Sequence, residues 1–201
     1  MQIELTKDQA LTLATLSAFN AKDKITPVLT ETWITVKDNV LTAMATDRFA
    51  LVKYEEAFSW DVYDGEFRLT PSLSKFLKAN LVKAYKGSVF IHVADDGAVT
   101  VELQNGAALT DVPSNAKRPN VETLFESWKP DTVARALAFR IEFLARLEKI
   151  KLDGEFADLW HLEPGANTYD PNKPGPLLAT NAKDDRLMAL VQPNLLVKER
   201  N

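Results

Sequence analysis

Few residues in this chain could perform acid–base or metal chemistry, and they lie far apart in the sequence. The two histidines are His92 and His161. His161 and Glu163 could supply two metal ligands, but no third ligand follows at the spacing of a metal site. His92 lies in an alternating segment that is typical of a half-buried strand, so we expect a structural role for it. The chain has no cysteine, which excludes disulfides, thiolate metal sites and a cysteine nucleophile.

Two pairs of adjacent aspartates are the remaining candidates for general acid–base catalysis. Asp95 and Asp96, like Asp184 and Asp185, fall in turn-forming segments, where aspartate is favoured because its side chain bonds to nearby backbone groups. The seven glycines are isolated and form no phosphate-binding loop, and no Gly-x-Ser-x-Gly motif occurs. The sequence therefore predicts neither an enzyme nor a metal or cofactor site. An enzyme that uses His161 or the aspartate pairs is the alternative that these residues leave open.

Lysines between residues 71 and 86 give a stronger signal for binding. That segment carries four lysines and no acid, whereas five acids precede it between residues 55 and 66. Its apolar residues recur at helical spacing, so the lysines are expected to project from the other side of a helix. Such a face is either ordinary solvated surface or a surface that contacts DNA phosphates without reading the bases. Together with basic residues of a third predicted helix, the candidate set is Lys75, Lys78, Lys83, Lys86, Arg146 and Lys149.

A strand followed by a helix occurs three times and is expected to position these residues. The strands are predicted at Gln2–Thr6, Glu66–Thr70 and Arg135–Arg140, and the helices at Lys7–Ala21, Pro71–Lys86 and Ile141–Lys151. The helices begin near residues 7, 71 and 141, which are 64 and 70 residues apart. A long repeat of this kind indicates modular architecture and not a single catalytic site.

Further strands are expected after each helix. Turn signals at 37–39, 95–97 and 105–106 separate runs that are rich in aliphatic and aromatic residues. The predicted strands are 31–36, 40–46, 49–55, 89–93, 98–103, 107–112, 159–162, 176–179 and 187–191. Residues 113–130 include three prolines and are expected to form a connector. The sequence therefore predicts an α+β fold built from strand–helix–strands units.

The composition is that of an ordinary globular protein, with 46% hydrophobic and 26% charged residues in 201 positions. No apolar run approaches the roughly 20 residues that span a bilayer. The N-terminal residues do not resemble a signal peptide. We therefore expect a cytoplasmic protein without a membrane partner. The net charge of -4 is a sum over the whole chain and does not exclude a local basic face.

Residues 41–51 resemble the central signature of the bacterial DNA polymerase III beta subunit, the sliding clamp. That family has an Ala-Thr-Asp followed by a short variable stretch and a leucine, which Ala45, Thr46, Asp47 and Leu51 match. The three residues between Asp47 and Leu51 differ from the family's usual glycine, histidine and arginine.

The surrounding sequence is similar to the clamp as well. Residues 67–71 fall where the family has a strand that enters its second helix. Residues 118–120 fall where it has a phenylalanine-proline-aspartate connector, and residues 186–191 resemble its closing strand. The resemblance implies a DNA clamp fold, in which helices lie on one face of antiparallel sheets. Residues 1–128 would form a clamp-like domain of two units, and residues 129–201 a reduced half domain of one unit.

The resemblance also implies site residues. The family's partner pocket lies between its middle and last domains and accepts a short hydrophobic peptide. The positions that correspond in this chain are Thr46, Arg48, Phe49, Leu51, Pro119, Leu124, Met188 and Val191. The lysine face would line a channel that holds double-stranded DNA independently of its sequence.

The function that the resemblance implies is that of a processivity factor, which encircles DNA and tethers a DNA polymerase through this pocket. A clamp loader could use the same pocket, and no cofactor is implied. Three units per chain would require a homo-oligomeric ring, with four chains as the number that the family suggests. A short form of this kind would suit a bacteriophage. The alternative is a clamp-like regulator that binds replication proteins without encircling DNA.

Overall fold

A computed structural model describes residues 1–23, 25–132, 137–170 and 172–193. Its α-helices are α1 (Lys7–Thr15), α2 (Pro71–Asn80), α3 (Glu122–Glu126) and α4 (Ile141–Leu144). Single 3-10 helices form at Leu16–Phe19, Pro27–Thr30 and Leu147–Lys149. The strands are β1 (Gln2–Leu5), β2 (Thr32–Lys37), β3 (Val40–Thr46), β4 (Ala50–Ala57), β5 (Gly65–Leu69), β6 (Val89–Val93), β7 (Val99–Leu103), β8 (Ala108–Asp111), β9 (Lys151–Leu152), β10 (Glu155–Phe156), β11 (Trp160–Glu163), β12 (Leu177–Asn181) and β13 (Leu187–Val191).

The first two copies of the repeat share the same helix cap. Thr6 precedes α1 and its hydroxyl accepts a hydrogen bond from the backbone N–H of Gln9. Thr70 precedes α2 and its hydroxyl accepts one from Leu73. Threonine is favoured at this position because it satisfies an N–H that has no partner inside the helix. Each threonine therefore ends its strand one residue earlier than predicted and begins the helix.

The predicted helices are longer than the observed ones. The first becomes a 3-10 helix after Thr15, and the second ends at Asn80 and not at Lys86. The side-chain amide of Asn80 donates to the carbonyl oxygen of Phe76, which satisfies one of the free carbonyls at the helix end. Leu81 then leaves the helical conformation and buries its side chain in the core. The predicted helix end at Lys86 was wrong, because the spacing of apolar residues does not show where a side chain caps the helix.

The third copy departs furthest from its prediction. Residues 135 and 136 of the predicted strand lie outside the described residues, and 137–140 form no continuous strand. The predicted helix is limited to α4 and the 3-10 helix Leu147–Lys149. At Lys151 the backbone bonds to α1 instead: its carbonyl accepts from Thr12 Oγ1 at 2.6 Å and its N–H donates to Thr15 Oγ1 at 3.1 Å. Those bonds place Lys151 in β9, so the helix cannot continue through it.

Two antiparallel sheets join the units. One has the order β1-β6-β7-β8, and the other has the order β11-β12-β13-β4-β3-β2-β5. The first two units exchange their first strands. Strand β1 of the first unit pairs with β6 of the second, and β5 of the second unit pairs with β2 of the first. The third unit joins the larger sheet through β13, which pairs with β4 from Tyr54↔Leu187 to Ala50↔Val191. The division into domains at residue 128 stays a prediction.

The main hydrophobic core contains α1, α2 and the inner faces of both sheets. A second, smaller cluster lies on the opposite face of the larger sheet and includes Trp33, Met44, Leu51, Val121 and Leu190. The architecture is an α+β arrangement of antiparallel sheets with few helices, as predicted. In the parts of the chain that the structure describes, no helix is long and apolar enough to cross a membrane.

Candidate partner pocket and basic face

Side chains of Thr46 and Asp47 shape the turn between β3 and β4. Thr46 Oγ1 donates to the carbonyl oxygen of Ala50 at 2.7 Å, and Asp47 Oδ1 accepts from the N–H groups of Phe49 and Ala50, both at 3.0 Å. Arg48, between them, has a φ of 83°, a left-handed conformation that favours glycine. Its N–H donates to Thr46 Oγ1 at 3.1 Å, which helps to hold that conformation. The Ala-Thr-Asp motif therefore fixes the backbone of the turn that carries residues 48 and 49.

The third unit supports this turn from behind. Arg146 Nη1 lies 2.7 Å from Asp47 Oδ2, and both side chains are almost buried. The ring of Phe143 stacks on the ring of Phe49, with centroids 5.8 Å apart and planes 12° from parallel. The Arg146 guanidinium also lies 4.9 Å from the Phe143 ring centroid. The position of Phe49 therefore depends on two residues of the third unit, Phe143 on α4 and Arg146 just after it.

A cavity of about 480 Å³ opens beside this turn, where β4 and β13 meet the connector. Its base is apolar and is formed mainly by members of the second hydrophobic cluster. Six of the eight predicted pocket residues line it, namely Thr46, Arg48, Phe49, Leu51, Pro119 and Leu124. Residues that the sequence did not indicate complete the wall, and these include Val28, Leu29, Lys117, Val121, Pro176, Leu190 and Gln192.

Met188 and Val191 do not line the cavity. Successive side chains of a strand point to opposite faces, and Val191 points into the main core, where it is fully buried. Leu190 lies on the other face and contacts the cluster beneath the cavity. Met188 shares that face but lies two residues further from the turn. Alternation in the sequence shows that residues 187–191 have two faces, but not which of them meets the cavity.

Two cations stand at the rim of this apolar cavity. Arg48 and Lys117 are both exposed and line it, and no aspartate or glutamate in the described part of the chain does. The Arg48 guanidinium donates to Thr26 Oγ1. Within the described ranges, neither cation forms an ion pair. The rim therefore has positive charge available for a ligand that also fills an apolar space.

The structure separates the predicted basic residues into two groups. Lys75 and Lys78 are exposed on α2, and Lys83 and Lys86 are exposed in the turn that follows it. Lys149 is exposed at the end of its 3-10 helix. Arg146 is different, because only 9% of its surface is exposed and its charge is paired with Asp47. It therefore belongs to the support of the cavity turn and not to an exposed basic surface.

The other candidates for chemistry have backbone roles or lie apart. Asp96 accepts from the N–H of Ala98 and Asp184 from the N–H of Arg186, as aspartate does in turns. His161 is exposed on β11. Among the residues that the structure describes, no group of three or more His, Cys, Asp or Glu side chains could hold a metal ion.

The fold is similar to those of several bacterial sliding clamps. The DNA polymerase III beta subunit of Thermotoga maritima matches with a TM-score of 0.70 and 13% identity, over 98% of this chain and 66% of its own. The sliding clamp of Pseudomonas aeruginosa matches with 0.69 and 11%, over 98% and 67%, and that of Bacillus subtilis with 0.63 and 12%, over 98% and 65%. The chain has the sliding-clamp fold.

The matched length and the low sequence identity limit this likeness to the fold. The chain spans about two thirds of the length of the clamps that it matches. No family model matches the sequence. No curated protein matches it either. At 11–13% identity the likeness is one of fold, so the activity and partners of a clamp come to this chain as proposals.

Proposed function

We propose that this chain is a sliding clamp, a processivity factor that holds a DNA polymerase on double-stranded DNA. The observation that carries the proposal is the sliding-clamp fold, which extends over 98% of the chain. On this proposal the protein is not an enzyme. It acts by binding, in the cytoplasm of a bacterial or phage-infected cell.

The cavity beside the β3–β4 turn is the proposed site for the polymerase, and for a clamp loader if one is needed. A cavity of about 480 Å³ with an apolar base accommodates apolar side chains of an extended peptide. Phe49 and Leu124 are more than half exposed at the rim, where they can contact such side chains. Burial of the exposed apolar surface of both partners would provide the main free energy of binding.

The charged rim indicates what else the peptide carries. Arg48 and Lys117 have no carboxylate partner among the described residues, and a carboxylate next to the apolar side chains would supply one. An ion pair at an exposed rim adds little affinity but discriminates against peptides of the wrong charge. The proposed ligand is therefore a short hydrophobic peptide that bears an acidic residue.

The exposed lysines of α2 and the following turn are proposed to face DNA. Lys75, Lys78, Lys83 and Lys86, together with Lys149, provide positive charge without a base-reading motif. Contacts of this kind bind phosphates through the release of counterions and permit movement along the duplex. Arg146 is not part of the proposed face, because it is buried against Asp47.

A ring is proposed to form from several copies of the chain. In the first unit, the outer edge of β4 is covered by β13. The corresponding strand of the second unit is β8, and no described strand pairs with its outer edge. Its residues are Ala-Leu-Thr-Asp, without the lysine or proline that often protects an edge strand. A second copy of the chain is therefore the proposed partner of β8, in a head-to-tail contact that can repeat around a ring.

The reduced third unit favours one alternative function. Since α4 has only four residues, the chain could keep the pocket and yet not close a ring. It would then be a regulator that occupies the partners of clamps without encircling DNA.

Retention on DNA circles separates the two functions. A ring is expected to remain with a nicked circular plasmid during gel filtration and to be lost when the plasmid is cut once. A regulator is expected to show the same weak retention on the circular and the cut DNA. That second result would overturn the proposal of a ring.

A further inference from the structure

Three lysines from different parts of the chain line one recess between α2 and two 3-10 helices. Lys22 lies just beyond the 3-10 helix Leu16–Phe19, Lys78 lies on α2, and Lys149 ends the 3-10 helix of the third unit. All three line a recess of about 250 Å³. Sequence reasoning placed Lys78 and Lys149 on a basic face but gave no reason to include Lys22. The fold therefore brings the charge of all three units to one place.

The positive charge of this recess is not balanced by the protein. No described aspartate or glutamate lines it, and none of the three lysines forms an ion pair with a described residue. Lys78 Nζ donates to the hydroxyl of Ser17 at 3.0 Å. The amine of Lys78 is partly screened from solvent by its neighbours although the residue is exposed, and this desolvation lowers its pKa below the ordinary value. A bound anion would provide an opposite charge.

A buried hydroxyl supplies a further donor. Ser74 lines the recess from α2, is only 1% exposed, and its Oγ has no hydrogen-bond partner among the described residues. A buried hydroxyl without a partner costs free energy, and native proteins rarely leave one so. An oxyanion in the recess could accept hydrogen bonds from Ser74 and from the lysine amines together. The donors of the recess, which are Ser74 and the lysine amines, outnumber its acceptor Asn20 Oδ1, which has no hydrogen-bond partner in the described part of the chain, and they suit a compact anion with several oxygens.

We propose that this recess binds one phosphate group of the backbone of double-stranded DNA. The inference rests on the proposed function, which brings a duplex to this face of the chain. The non-bridging oxygens of a phosphodiester match the amines of Lys22, Lys78 and Lys149 and the hydroxyl of Ser74. Lys75, Lys83 and Lys86 lie outside the recess, so their contacts with neighbouring phosphates would be made without the buried hydroxyl of Ser74. One fixed phosphate would set how the duplex passes the helices, without reading its sequence.

The salt dependence of duplex binding tests the recess. Fluorescence anisotropy would give the affinity of the chain for a labelled duplex at several salt concentrations. In the variant Lys22→Gln/Lys149→Gln, the slope of log K against log salt is expected to fall by about 0.9, the value for one phosphate contact. The matched control is Lys75→Gln/Lys83→Gln, which changes the charge equally at two exposed positions of the basic face outside the recess. The control is expected to lower the slope by less than the recess variant does.

Ser74→Ala provides a second variant that keeps every charge. It is expected to bind the duplex several-fold more weakly and to be at least as stable without DNA, because it removes a buried hydroxyl that has no partner. Equal slopes for the recess variant and its control, with unchanged binding by Ser74→Ala, would overturn the recess and leave the general basic face intact.

Inorganic pyrophosphate separates failure of the recess from failure of the proposed function. If the original chain binds no duplex, both the DNA face and the DNA phosphate site are overturned. Binding of pyrophosphate that disappears in Lys22→Gln/Lys149→Gln would then assign the recess to small phosphate compounds instead.

Discussion

Arg146 Nη1 lies 2.7 Å from Asp47 Oδ2, so a residue of the third unit holds the turn that forms one wall of the cavity. The two groups are in ionic contact without the alignment of a hydrogen bond. The other carboxylate oxygen of Asp47 accepts two backbone N–H groups of the same turn. One aspartate therefore couples the shape of the cavity to the presence of the reduced third unit.

Removing the partner of Asp47 is expected to destabilise the protein. Arg146→Met leaves a nearly buried carboxylate without its ion pair, which costs about 3 kcal/mol of the free energy of unfolding. Urea denaturation measures this loss. The matched control is Arg140→Met, which removes an exposed ion pair with Glu142 at 3.6 Å and is expected to cost less than about 1 kcal/mol. Equal losses in the two variants would show that the Asp47 contact has no special role.

The apolar rim of the cavity is expected to dominate peptide binding. Leu124→Asp places a charge at a position that is 51% exposed, so the chain should fold while the affinity for a hydrophobic peptide falls by at least about tenfold. Isothermal titration calorimetry would measure the affinity. Leu162→Asp is a suitable control, since Leu162 is 50% exposed and lies on β11, away from the cavity. Comparable weakening by both variants would argue against the proposed pocket.

The rim cations are expected to select an acidic peptide. Arg48→Gly removes one cation at a backbone conformation that glycine prefers, so the turn should be preserved. The preference of the chain for a peptide with aspartate over its asparagine counterpart is expected to shrink by about two- to fivefold, as for an exposed ion pair. The two affinities are measured by competition. If the original chain binds both peptides equally, the acidic residue has no role in recognition.

The caps of the first two repeats are expected to differ in strength. Thr6→Ala removes a helix cap, at a cost of about 1 kcal/mol in stability. Thr70→Ala removes the same cap and also the hydrogen bond of 2.6 Å to Asp111 Oδ2, so its cost should be larger. Thermal or urea unfolding of both variants checks the order, with Thr70→Ser expected to stay close to the original chain. A larger loss for Thr6→Ala would contradict this interpretation.

Asp184 is expected to make the fold sensitive to acid. Burial alone raises the pKa of Asp184, but hydrogen bonds from the side chain and backbone of Arg186, and its charge, keep the pKa below its ordinary value. A carboxyl with a lowered pKa stabilises the folded state above its unfolded pKa of about 3.9, and this contribution is lost as the pH falls through the folded pKa. Below about pH 4, stability should therefore fall more steeply in the original chain than in Asp184→Asn.

The exposed neighbour Asp185 provides the control for this pH dependence. Asp185→Asn removes the same charge one residue away and is expected to keep the pH profile of the original chain. Urea midpoints between pH 3 and 6 would show whether the two profiles differ, and coincident profiles for the two variants would exclude Asp184 as the cause.

Strands were predictable from the sequence because their signals are local. The bounds of β3, β6 and β13 agree with the predicted ranges, since turn residues and alternation fix them without reference to the rest of the chain. Helix ends were not predictable in this way. α2 ends where the Asn80 side chain caps a carbonyl, and the predicted third helix cannot include Lys151 because that residue bonds to α1. Both depend on contacts that spacing alone does not reveal.

The site was predictable only in part, for a related reason. The resemblance in residues 45–51 led to the cavity turn, but it gave Met188 and Val191 where the structure places Leu190 and Gln192. A shift of one residue along a strand moves a side chain to the other face, and only the pairing of β13 with β4 decides which face meets the cavity. The burial of Arg146 likewise depends on Asp47, which is about a hundred residues away in the sequence.

The mass of the protein in solution tests the central claim most directly. Light scattering at micromolar concentration is expected to show a discrete homo-oligomer, with a mass near four times the 22.4 kDa of one chain if the ring has four copies. Thr110→Pro, at the open edge strand β8, is expected to lower that mass. A single species of 22.4 kDa that does not change with concentration would contradict the ring.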